Sequence, residues 1–387
     1  MFLNKVMELN PSLVDAAIFF HKKGELLPDT YVIDMDRLAL NAENLKKTAD
    51  AESVSLYFML KQVGHNPVIA RLLTDMGYAG AVAVDYREAL EYVDQGIPLG
   101  NVGHLVQTPK ATLPKILSAR PEIMTIYSLE KAQEIEHICS HLHMEQQVML
   151  RVMDNGDICL PGQTGGFSLA SLPEVVSSLR KLPHVHIAGV TAFPCFLYDE
   201  KRGTIFPTHN SSTVVKAAAW LRDRGIPVSQ VNLPSATCSD TIPLIHQIGG
   251  THGEPGHGLT GTTPLHAEKN CAEIPGIVYV SEVSHTEGGM SFCYGGGHYR
   301  RSHMRLALVG DTRESRVVPV RPPAEENIDY YFTLEGLHPV SESVIMSFRT
   351  QMFVTRSSVA LMTGLSQGMP RISGIFTSSG QKIRGRE

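Results

Sequence analysis

The chain contains 387 residues, of which 43% are hydrophobic and 19% are charged, and its formal net charge is −5 at pH 7. This length suits a barrel of about 250 residues plus an accessory domain. The acidic balance gives no support for nucleic-acid binding, and the absence of a run of about 18 apolar residues predicts no membrane span. The cysteines are scattered, without the spacing of a metal site or a disulfide framework, so we expect reduced thiols in a cytoplasmic protein without a bound metal.

The first 29 residues are predicted to form a helical segment. Its apolar side chains recur at helical spacing on one side, at Leu13, Ala16, Ala17, Phe19 and Phe20. From residue 30 the pattern changes to a strand over residues 30–36. We therefore place the start of the next domain at residue 30.

Residues 30–264 alternate between apolar strand-like runs and helical patterns, which is typical of βα units. The predicted barrel strands lie near residues 54–61, 80–85, 100–105, 123–128, 147–153, 186–193, 229–235 and 251–256. Eight such strands predict a closed (β/α)8 TIM barrel. An open doubly wound sheet is the alternative, but no GxGxxG motif follows any early strand.

Residues 265–387 have a different sequence pattern. Alternating runs are broken by glycine, proline and aspartate, which predicts a smaller, mostly-β carboxyl-terminal domain. Its predicted strands lie near residues 277–284, 305–309, 316–320, 330–333, 343–348 and 359–362.

Lys61 ends the apolar run of the first barrel strand. Barrel enzymes keep their chemistry at the carboxyl ends of the strands. Desolvation there lowers the pKa of a lysine toward the range in which its free amine forms a Schiff base. The alternative is a strand-end lysine that turns into solvent.

A glycine-rich loop over residues 253–261 follows the eighth strand. Small residues let backbone amides approach a bound group closely, and unpaired amides in a turn bind phosphate. Ser235 and Thr237, at the end of the seventh strand, supply hydroxyls to the same place. The alternative is a tight turn that binds no ligand.

With these residues in place, the chain resembles the fold-type III pyridoxal-phosphate (PLP) enzymes, the alanine racemase and ornithine decarboxylase superfamily. Within it, the whole chain most resembles the YhfX-like branch. The stretches that carry the resemblance are Leu60-Lys61-Gln62, Ala83-Val84-Asp85-Tyr86, Gly103-His104-Leu105-Val106-Gln107, Glu254-Pro255-Gly256-His257, Cys293-Tyr294-Gly295-Gly296-Gly297 and Phe348-Arg349-Thr350-Gln351.

The resemblance implies a PLP cofactor bound to Lys61. Arg151 takes the place of an arginine near the cofactor, or else is a salt-bridged strand-end residue. Phe193 stands where relatives stack a histidine on the pyridine ring, and core packing explains it equally well. Asp85 either orients Lys61 or caps the following helix. The implied cofactor-binding residues are Lys61, Asp85, Arg151, Phe193, Ser235, Thr237, Glu254, Gly256, His257, Gly258 and Thr260.

Glu254 differs from the alanine racemase pattern, in which an arginine faces the pyridine nitrogen. It matches the Glu-Pro-Gly motif of the ornithine and diaminopimelate decarboxylase group. A carboxylate in that position stabilises the protonated ring and makes it a stronger electron sink. His257 departs from that motif because it replaces the arginine that usually follows it. The Cys-Asp pair of that group's carboxyl domain also has no clear match in this chain.

Tyr294 resembles the tyrosine that alanine racemases supply to the active site of the partner subunit. The resemblance implies a homodimer with shared active sites, in which Lys61 serves one face of the substrate carbanion and Tyr294 the other. The alternative is a tyrosine packed under a glycine turn. His298 and Cys293 resemble part of a zinc site of some D-serine dehydratases, but two ligands are too few for a metal site.

The leading expectation is a PLP-dependent racemase or epimerase that abstracts the α-proton of an amino acid. A lyase, meaning a decarboxylase, dehydratase or aldolase, is the alternative. A non-catalytic PLP carrier is the third possibility, and the extra β domain argues against it because carriers lack a domain that closes the site.

Overall fold

The computed structural model describes residues 1–384 and divides the chain into two compact units. The barrel unit comprises Leu45–Met59 and Pro67–Pro255. The β unit comprises Met1–Asn44, Leu60–Asn66 and the residues from Gly256 onward. Each unit is therefore assembled from segments that are distant in the sequence.

The α-helices are α1 (Leu3–Leu9), α2 (Pro11–Lys22), α3 (Met35–Ala51), α4 (Pro67–Asp75), α5 (Tyr86–Asp94), α6 (Leu113–Ser118), α7 (Leu129–Leu142), α8 (Leu172–Leu179), α9 (His209–Arg222), α10 (Ile242–Gln247) and α11 (Leu265–Glu268). Short 3₁₀ helices cover Lys61–Val63, Lys110–Thr112, Leu169–Ser171 and Met352–Val354.

The strands are β1 (Thr30–Asp34), β2 (Ser55–Leu56), β3 (Ala81–Ala83), β4 (Leu99–Val102), β5 (Ile123–Ile126), β6 (Gln146–Met153), β7 (Phe167–Ser168), β8 (Val185–Thr191), β9 (Phe196–Asp199), β10 (Thr204–Pro207), β11 (Gln230–Asn232), β12 (His252–Gly253), β13 (Ile277–Glu287), β14 (Met290–Tyr294), β15 (Leu306–Gly310), β16 (Ser315–Pro319), β17 (Tyr331–Glu335), β18 (Ser343–Met346), β19 (Ser358–Thr363), β20 (Arg371–Phe376) and β21 (Lys382–Arg384).

The barrel unit contains the eight parallel strands that the sequence predicts, in the spatial order β2-β12-β11-β8-β6-β5-β4-β3. A parallel bridge between Phe58 and Ala81 joins the two ends of this sheet. The amide of Phe58 donates to the carbonyl of Gly80 at 3.0 Å, and that of Val82 donates to the carbonyl of Phe58 at 2.8 Å. The predicted barrel is therefore confirmed, with Phe58 closing its sheet.

Buried apolar side chains from several barrel strands and the residues after β2 pack into one cluster. This cluster consists of Tyr57, Met59, Val82, Ile123, Met149 and Ala188. Gly100 has a packing role there, because a Cβ atom at this position would lie 2.4 Å from the ring of Tyr57. The buried apolar runs recognised in the sequence form this core because both faces of a parallel barrel strand are covered.

The β unit is built on a sheet in which β1 lies between two carboxyl-terminal strands. β1 pairs antiparallel with β13 and parallel with β19. Residues 30–34 thus belong to this sheet, although the sequence placed residue 30 at the start of the barrel domain. The strand is buried along its whole length, and a fully buried strand has the same apolar pattern in either sheet.

The amino-terminal segment forms two helices rather than one, with the break at Asn10 and Pro11. Their buried side chains, among them Leu13 and Ala17, join a core cluster with β1, β13 and β19 residues. Phe19, which was expected on the apolar side, is 47% exposed. No helix of residues 1–384 has both the length and the apolar character needed to cross a bilayer.

Candidate active site

Glu254 follows β12 and is buried inside the barrel unit, with 4% of its surface exposed. Its Oε1 atom accepts hydrogen bonds from the Nδ2 atoms of Asn101 at 2.9 Å and Asn232 at 2.8 Å. Both amides lie on barrel strands, β4 and β11. Two amide donors on one oxygen stabilise the ionised carboxylate, since burial without partners would favour the neutral acid.

Neighbouring hydroxyls fix the orientation of these groups. Asn101 Oδ1 accepts a hydrogen bond from Thr125 at 2.7 Å, so the Nδ2 side of that amide is directed at Glu254. The hydroxyl of Thr237 accepts a hydrogen bond from the backbone amide of Glu254 at 3.3 Å. Thr191 accepts a longer bond, 3.4 Å, from Asn232 Nδ2. The carboxylate is therefore held in one place by a network of neutral donors.

His104 lies close to this carboxylate. Its Nε2 atom lies 3.5 Å from Glu254 Oε2, and the histidine is only 1% exposed. The ring of His104 meets the ring of Phe193 edge to face, with centroids 5.6 Å apart. Phe193 thus contacts a histidine from another strand end, and the ring is only partly buried. His104 was not among the predicted site residues, although it lies shortly after the end of β4.

Arg151 is a buried cation with neutral partners. Its guanidinium donates to the hydroxyl of Tyr127 at 2.5 Å and to the carbonyl oxygen of Gln163 at 2.5 Å. The carbonyl oxygen of His104 lies 3.5 Å from the same group. Within residues 1–384 no carboxylate forms an ion pair with Arg151. The alternative of a salt-bridged strand-end arginine therefore does not hold, and the guanidinium retains capacity for an anionic ligand.

Ser235 and Ala236 form a strained turn after β11. Their φ angles are +97° and +51°, a region that L-residues with side chains avoid. Such strain is concentrated at ligand-binding sites in proteins. The Ser235 hydroxyl donates to the carbonyl oxygen of Phe196 at 2.6 Å, which holds the turn in place.

Asp85 caps helix α5. Its side chain accepts hydrogen bonds from the amides of Arg87 at 2.8 Å and Glu88 at 3.0 Å. This geometry is the helix-capping alternative given above for Asp85, and it satisfies two otherwise unpaired amides.

The loop that starts at Gly256 belongs to the β unit. Within the described chain, the amides of Gly256, His257 and Gly258 have no hydrogen-bond acceptor. The loop is closed behind them by bonds such as that from the Thr262 amide to the carbonyl of His257, 2.8 Å. The Thr260 hydroxyl is buried and bonds to Thr262 at 2.7 Å. Three consecutive amides without acceptors are the feature expected of a phosphate-binding turn.

Gly256 also has a steric role that the sequence did not reveal. A Cβ atom there would lie 2.6 Å from the side chain of Gln62, so Gln62 packs directly over this glycine. Thr350 donates to the carbonyl oxygen of Gln62 at 2.9 Å and fixes the same segment. The short helix Lys61–Val63 is therefore anchored beside the loop.

Lys61 begins this short 3₁₀ helix instead of ending β2, which stops at Leu56. The lysine is half-buried. Its positive charge contributes to lowering the pKa of His257, after the larger effects of burial and of Arg349. Lys61 therefore lies within electrostatic range of the loop residue His257.

His257 bonds to protein groups through both ring nitrogens. Nε2 lies 3.2 Å from Arg349 Nε, and Nδ1 lies 3.2 Å from the hydroxyl of Thr262. Burial, the guanidinium of Arg349 and the ammonium of Lys61 hold the pKa of His257 well below its usual value. The ring is therefore neutral at pH 7, with Nε2 accepting from arginine. His257 has only its backbone amide to offer a ligand.

Tyr294 ends β14 in the β unit and is 38% exposed. The following segment is fixed at Gly296, where a Cβ atom would lie 1.7 Å from the carboxylate of Asp29. Asp29 in turn accepts a hydrogen bond from the hydroxyl of Tyr279 at 2.9 Å. The backbone that carries Tyr294 is thus anchored while its side chain reaches solvent.

His298 and Cys293 are the two residues that the sequence analysis compared with part of a zinc site. His298 Nδ1 lies 3.3 Å from the carboxylate of Asp329. Burial raises the pKa of Cys293 to about 12, so its sulfur remains a protonated thiol. The described residues contain no group of three His, Cys, Asp or Glu side chains arranged to hold a metal ion.

Two family profiles match the sequence. "Alanine racemase, N-terminal domain" covers residues 33–264, and "YhfX-like, C-terminal domain" covers residues 278–372. The chain is also 40% identical over 385 residues to the uncharacterized protein YhfX of Escherichia coli (strain K12), covering 99% of this chain and 100% of that protein.

Solved structures share the fold at low sequence identity. Alanine racemase from Clostridium difficile 630, in complex with cycloserine, has a TM-score of 0.65 at 17% identity and covers 91% of this chain and 99% of its own. D-threonine aldolase from Filomicrobium marinum has a TM-score of 0.69 at 14% identity, with coverages of 92% and 96%. Diaminopimelate decarboxylase from Helicobacter pylori, complexed with L-lysine, has a TM-score of 0.65 at 14% identity, with coverages of 95% and 97%.

Proposed function

The chain belongs to the YhfX-like family, whose barrel is of the alanine racemase type in the fold-type III PLP-enzyme superfamily, and from this premise we propose that it is a PLP-dependent enzyme acting on an amino acid. Lys61 is the residue that attaches the cofactor. The reaction that we favour is racemisation or epimerisation by abstraction of the α-proton.

The residues of the chain fit PLP. The three amides of Gly256, His257 and Gly258 without protein acceptors are suited to a phosphate group. This run of amides, placed directly after Glu254 and Pro255, is the observation that carries the proposal. Arg151 has donor capacity for an anionic oxygen because no carboxylate neutralises it in the described chain. When bound, PLP supplies an electron sink for the negative charge that develops at the α-carbon.

The roles of the other residues follow from their chemistry. Glu254, which accepts hydrogen bonds from Asn101 and Asn232, is suited to keep a proton on a ring nitrogen. Ser235 and Thr237 line the turn after β11, where the strained backbone supports ligand contact. Phe193 provides an apolar ring face and Asp85 stabilises the helix after β3.

Proton transfer requires a base on one side of the α-carbon and an acid on the other. Lys61 has the amine for one side. We propose that Tyr294 of a partner copy supplies the other, in a homodimer with shared active sites. The exposure of Tyr294 supports this arrangement, because part of the residue is accessible to a second chain. A cytoplasmic location is part of the proposal and is supported by the six free cysteines.

A lyase is the second candidate, and the buried Glu254 network favours it. A fixed carboxylate strengthens the electron sink, which permits loss of carbon dioxide, water or an aldehyde as well as proton exchange. A non-catalytic carrier is the third candidate, and the β unit of the chain argues against it.

The reaction class is tested by incubating the PLP-loaded protein with a panel of amino acids in D₂O. We expect incorporation of deuterium at Cα together with loss of chiral purity. Lys61→Ala should abolish both signals, whereas Lys110→Ala, an exposed lysine, should not change them. Release of carbon dioxide, an oxo acid or an aldehyde without racemisation would replace the racemase proposal with a lyase. No turnover of any member, with PLP bound, would favour the carrier.

A further inference from the structure

The partly buried guanidinium of Arg349 contacts the loop residue His257, with 3.2 Å between Arg349 Nε and His257 Nε2. Its backbone amide donates to the carbonyl oxygen of Ser302 at 3.0 Å, and the adjacent Thr350 is bonded to Gln62. These contacts hold Arg349 beside both the loop and the short helix that begins at Lys61. The position of this arginine is therefore fixed by the fold.

The guanidinium has donors left over. Nε is used by His257, and within residues 1–384 the two terminal nitrogens have no hydrogen-bond acceptor and no carboxylate partner. Burial lowers the pKa of Arg349, the neighbouring Tyr299 raises it and the charge of Arg301 lowers it, yet an arginine remains protonated at pH 7. Removing a cation even partly from water without a counter-ion costs free energy, and the planar guanidinium is suited to bind a carboxylate or a phosphate.

His257 cannot take this role. Its ring is neutral and both nitrogens are occupied, by Arg349 and Thr262. The ring instead accepts from Nε and so orients the planar fork of Arg349, leaving the terminal nitrogens for a bidentate contact. The surrounding positive charges, Lys61 and Arg301, disfavour a cationic ligand and favour an anionic one.

We propose that Arg349 binds an anionic oxygen group of the ligand, a phosphate or a carboxylate, and that His257 is its positioning residue. The inference rests on the proposed function in that the ligand is the cofactor or an amino acid. A phosphate would come from the cofactor and a carboxylate from the substrate. The two sources make different contacts and can be separated by measurement.

The test compares Arg349→Gln with Arg301→Gln, an exposed arginine whose loss removes one positive charge from the same neighbourhood. Dissociation constants of PLP and of pyridoxal, which lacks the phosphate, are measured from cofactor absorbance. If the anion is the phosphate, Arg349→Gln weakens PLP binding roughly ten- to a hundred-fold and leaves pyridoxal unchanged. Stabilisation of the cofactor-free protein by inorganic phosphate should be lost as well.

If the anion is the carboxylate, Arg349→Gln leaves PLP affinity unchanged. The apparent affinity for amino acids, measured from the absorbance of the bound cofactor, then falls by a similar factor. The apparent affinity for the corresponding amino-acid amides does not change. Arg301→Gln should change none of these constants by more than about threefold. Equal behaviour of the two variants in every titration would overturn the proposal.

Two further variants separate recognition from folding. Arg349→Lys keeps the charge and should retain part of the affinity. The double variant His257→Arg with Arg349→Gln returns a guanidinium to the loop and should recover binding that Arg349→Gln loses, which a purely structural role would not predict. Failure of the wild-type protein to label at Lys61 with PLP and borohydride would instead count against the proposed function. Stabilisation of the cofactor-free protein by inorganic phosphate does not depend on that lysine, so the two failures can be distinguished.

Discussion

At the scale of single residues, the carboxyl group of Glu254 is held in position by neutral side chains. Asn101 and Asn232 both donate to its Oε1 atom, and the side chain is shielded from water. Removing either amide would leave part of the negative charge without hydrogen bonds, which is costly in a buried position. The carboxylate therefore has a fixed place and orientation before any ligand arrives.

Replacement of Glu254 by glutamine tests the value of that charge. Glu254→Gln should keep PLP binding, because the loop amides remain, and should lower turnover roughly ten- to a hundred-fold, since one charge-assisted hydrogen bond is worth about 1.5–3 kcal/mol. The control is Glu122→Gln, which alters a barrel carboxylate that accepts from Gln230 at 2.8 Å. An unchanged rate in Glu254→Gln with PLP bound would mean that the glutamate only shapes the turn.

The sequence predicted some residues of the site and not their partners. Lys61 was recognisable because it directly follows an apolar run, and Glu254 because it begins the Glu-Pro-Gly motif in the glycine-rich loop. Asn101 was not, because it lies 153 residues from Glu254 and sits within an apolar strand. Arg349 was quoted only as part of a matching stretch, and its contact with His257 spans 92 residues. Pairings across such distances depend on the folded barrel and sheet, and no local spacing encodes them.

At the level of elements, β12 carries a histidine next to the site. His252 is 8% exposed, and its ring stacks on that of Tyr57 with centroids 5.4 Å apart. Burial lowers the pKa of His252 to about 4. The folded barrel unit therefore keeps this imidazole neutral at a pH where an unfolded chain protonates it.

The lowered pKa of His252 predicts that the folded protein loses stability as the pH falls. Above pH 6.5 both states are neutral and His252 has no effect on the free energy of unfolding. As the pH falls from 6.5 toward 4, only the unfolded state binds the proton, which destabilises the fold by up to about 3 kcal/mol. Urea unfolding at pH 7 and pH 5 should show a smaller loss for His252→Gln than for wild type.

The control for this measurement is His246→Gln, an exposed histidine of α10, which should retain the wild-type loss. Some loss should persist in His252→Gln because burial and nearby positive charges also lower the pKa of His257. An identical loss in wild type and His252→Gln would show that His252 titrates normally in the folded chain.

The elements themselves were largely predictable. All eight barrel strands were anticipated, most of them from short runs rich in apolar residues that alternate with helical patterns. β1 was assigned to the barrel because burial does not identify which sheet a strand joins. The break between α1 and α2 follows from Pro11 at the first helical position, a signal present in the sequence. The hairpin of β9 and β10 was missed because each of its strands has only 4 residues, too few for a clear alternating pattern.

For the whole molecule, the proposed homodimer depends on Tyr294. Its side chain is exposed in the single chain, while the glycine segment after it is anchored to Asp29. Mixing Lys61→Ala with Tyr294→Phe should restore about a quarter to a half of wild-type activity when subunits exchange, because each heterodimer has one intact site. Tyr331→Phe, which changes a neighbouring exposed tyrosine, replaces Tyr294→Phe in the control mixture. No recovery despite confirmed exchange would exclude sites shared through Tyr294.

The most direct test of the account is chemical capture of the cofactor. Purified protein loaded with PLP is reduced with borohydride, digested and mapped by mass spectrometry. We predict one pyridoxyl group, on the peptide that contains Lys61, and none after the same treatment of Lys61→Ala. A pyridoxyl group on a different lysine, or no labelled peptide in the wild-type protein, would contradict the assignment of Lys61 and with it the proposed chemistry.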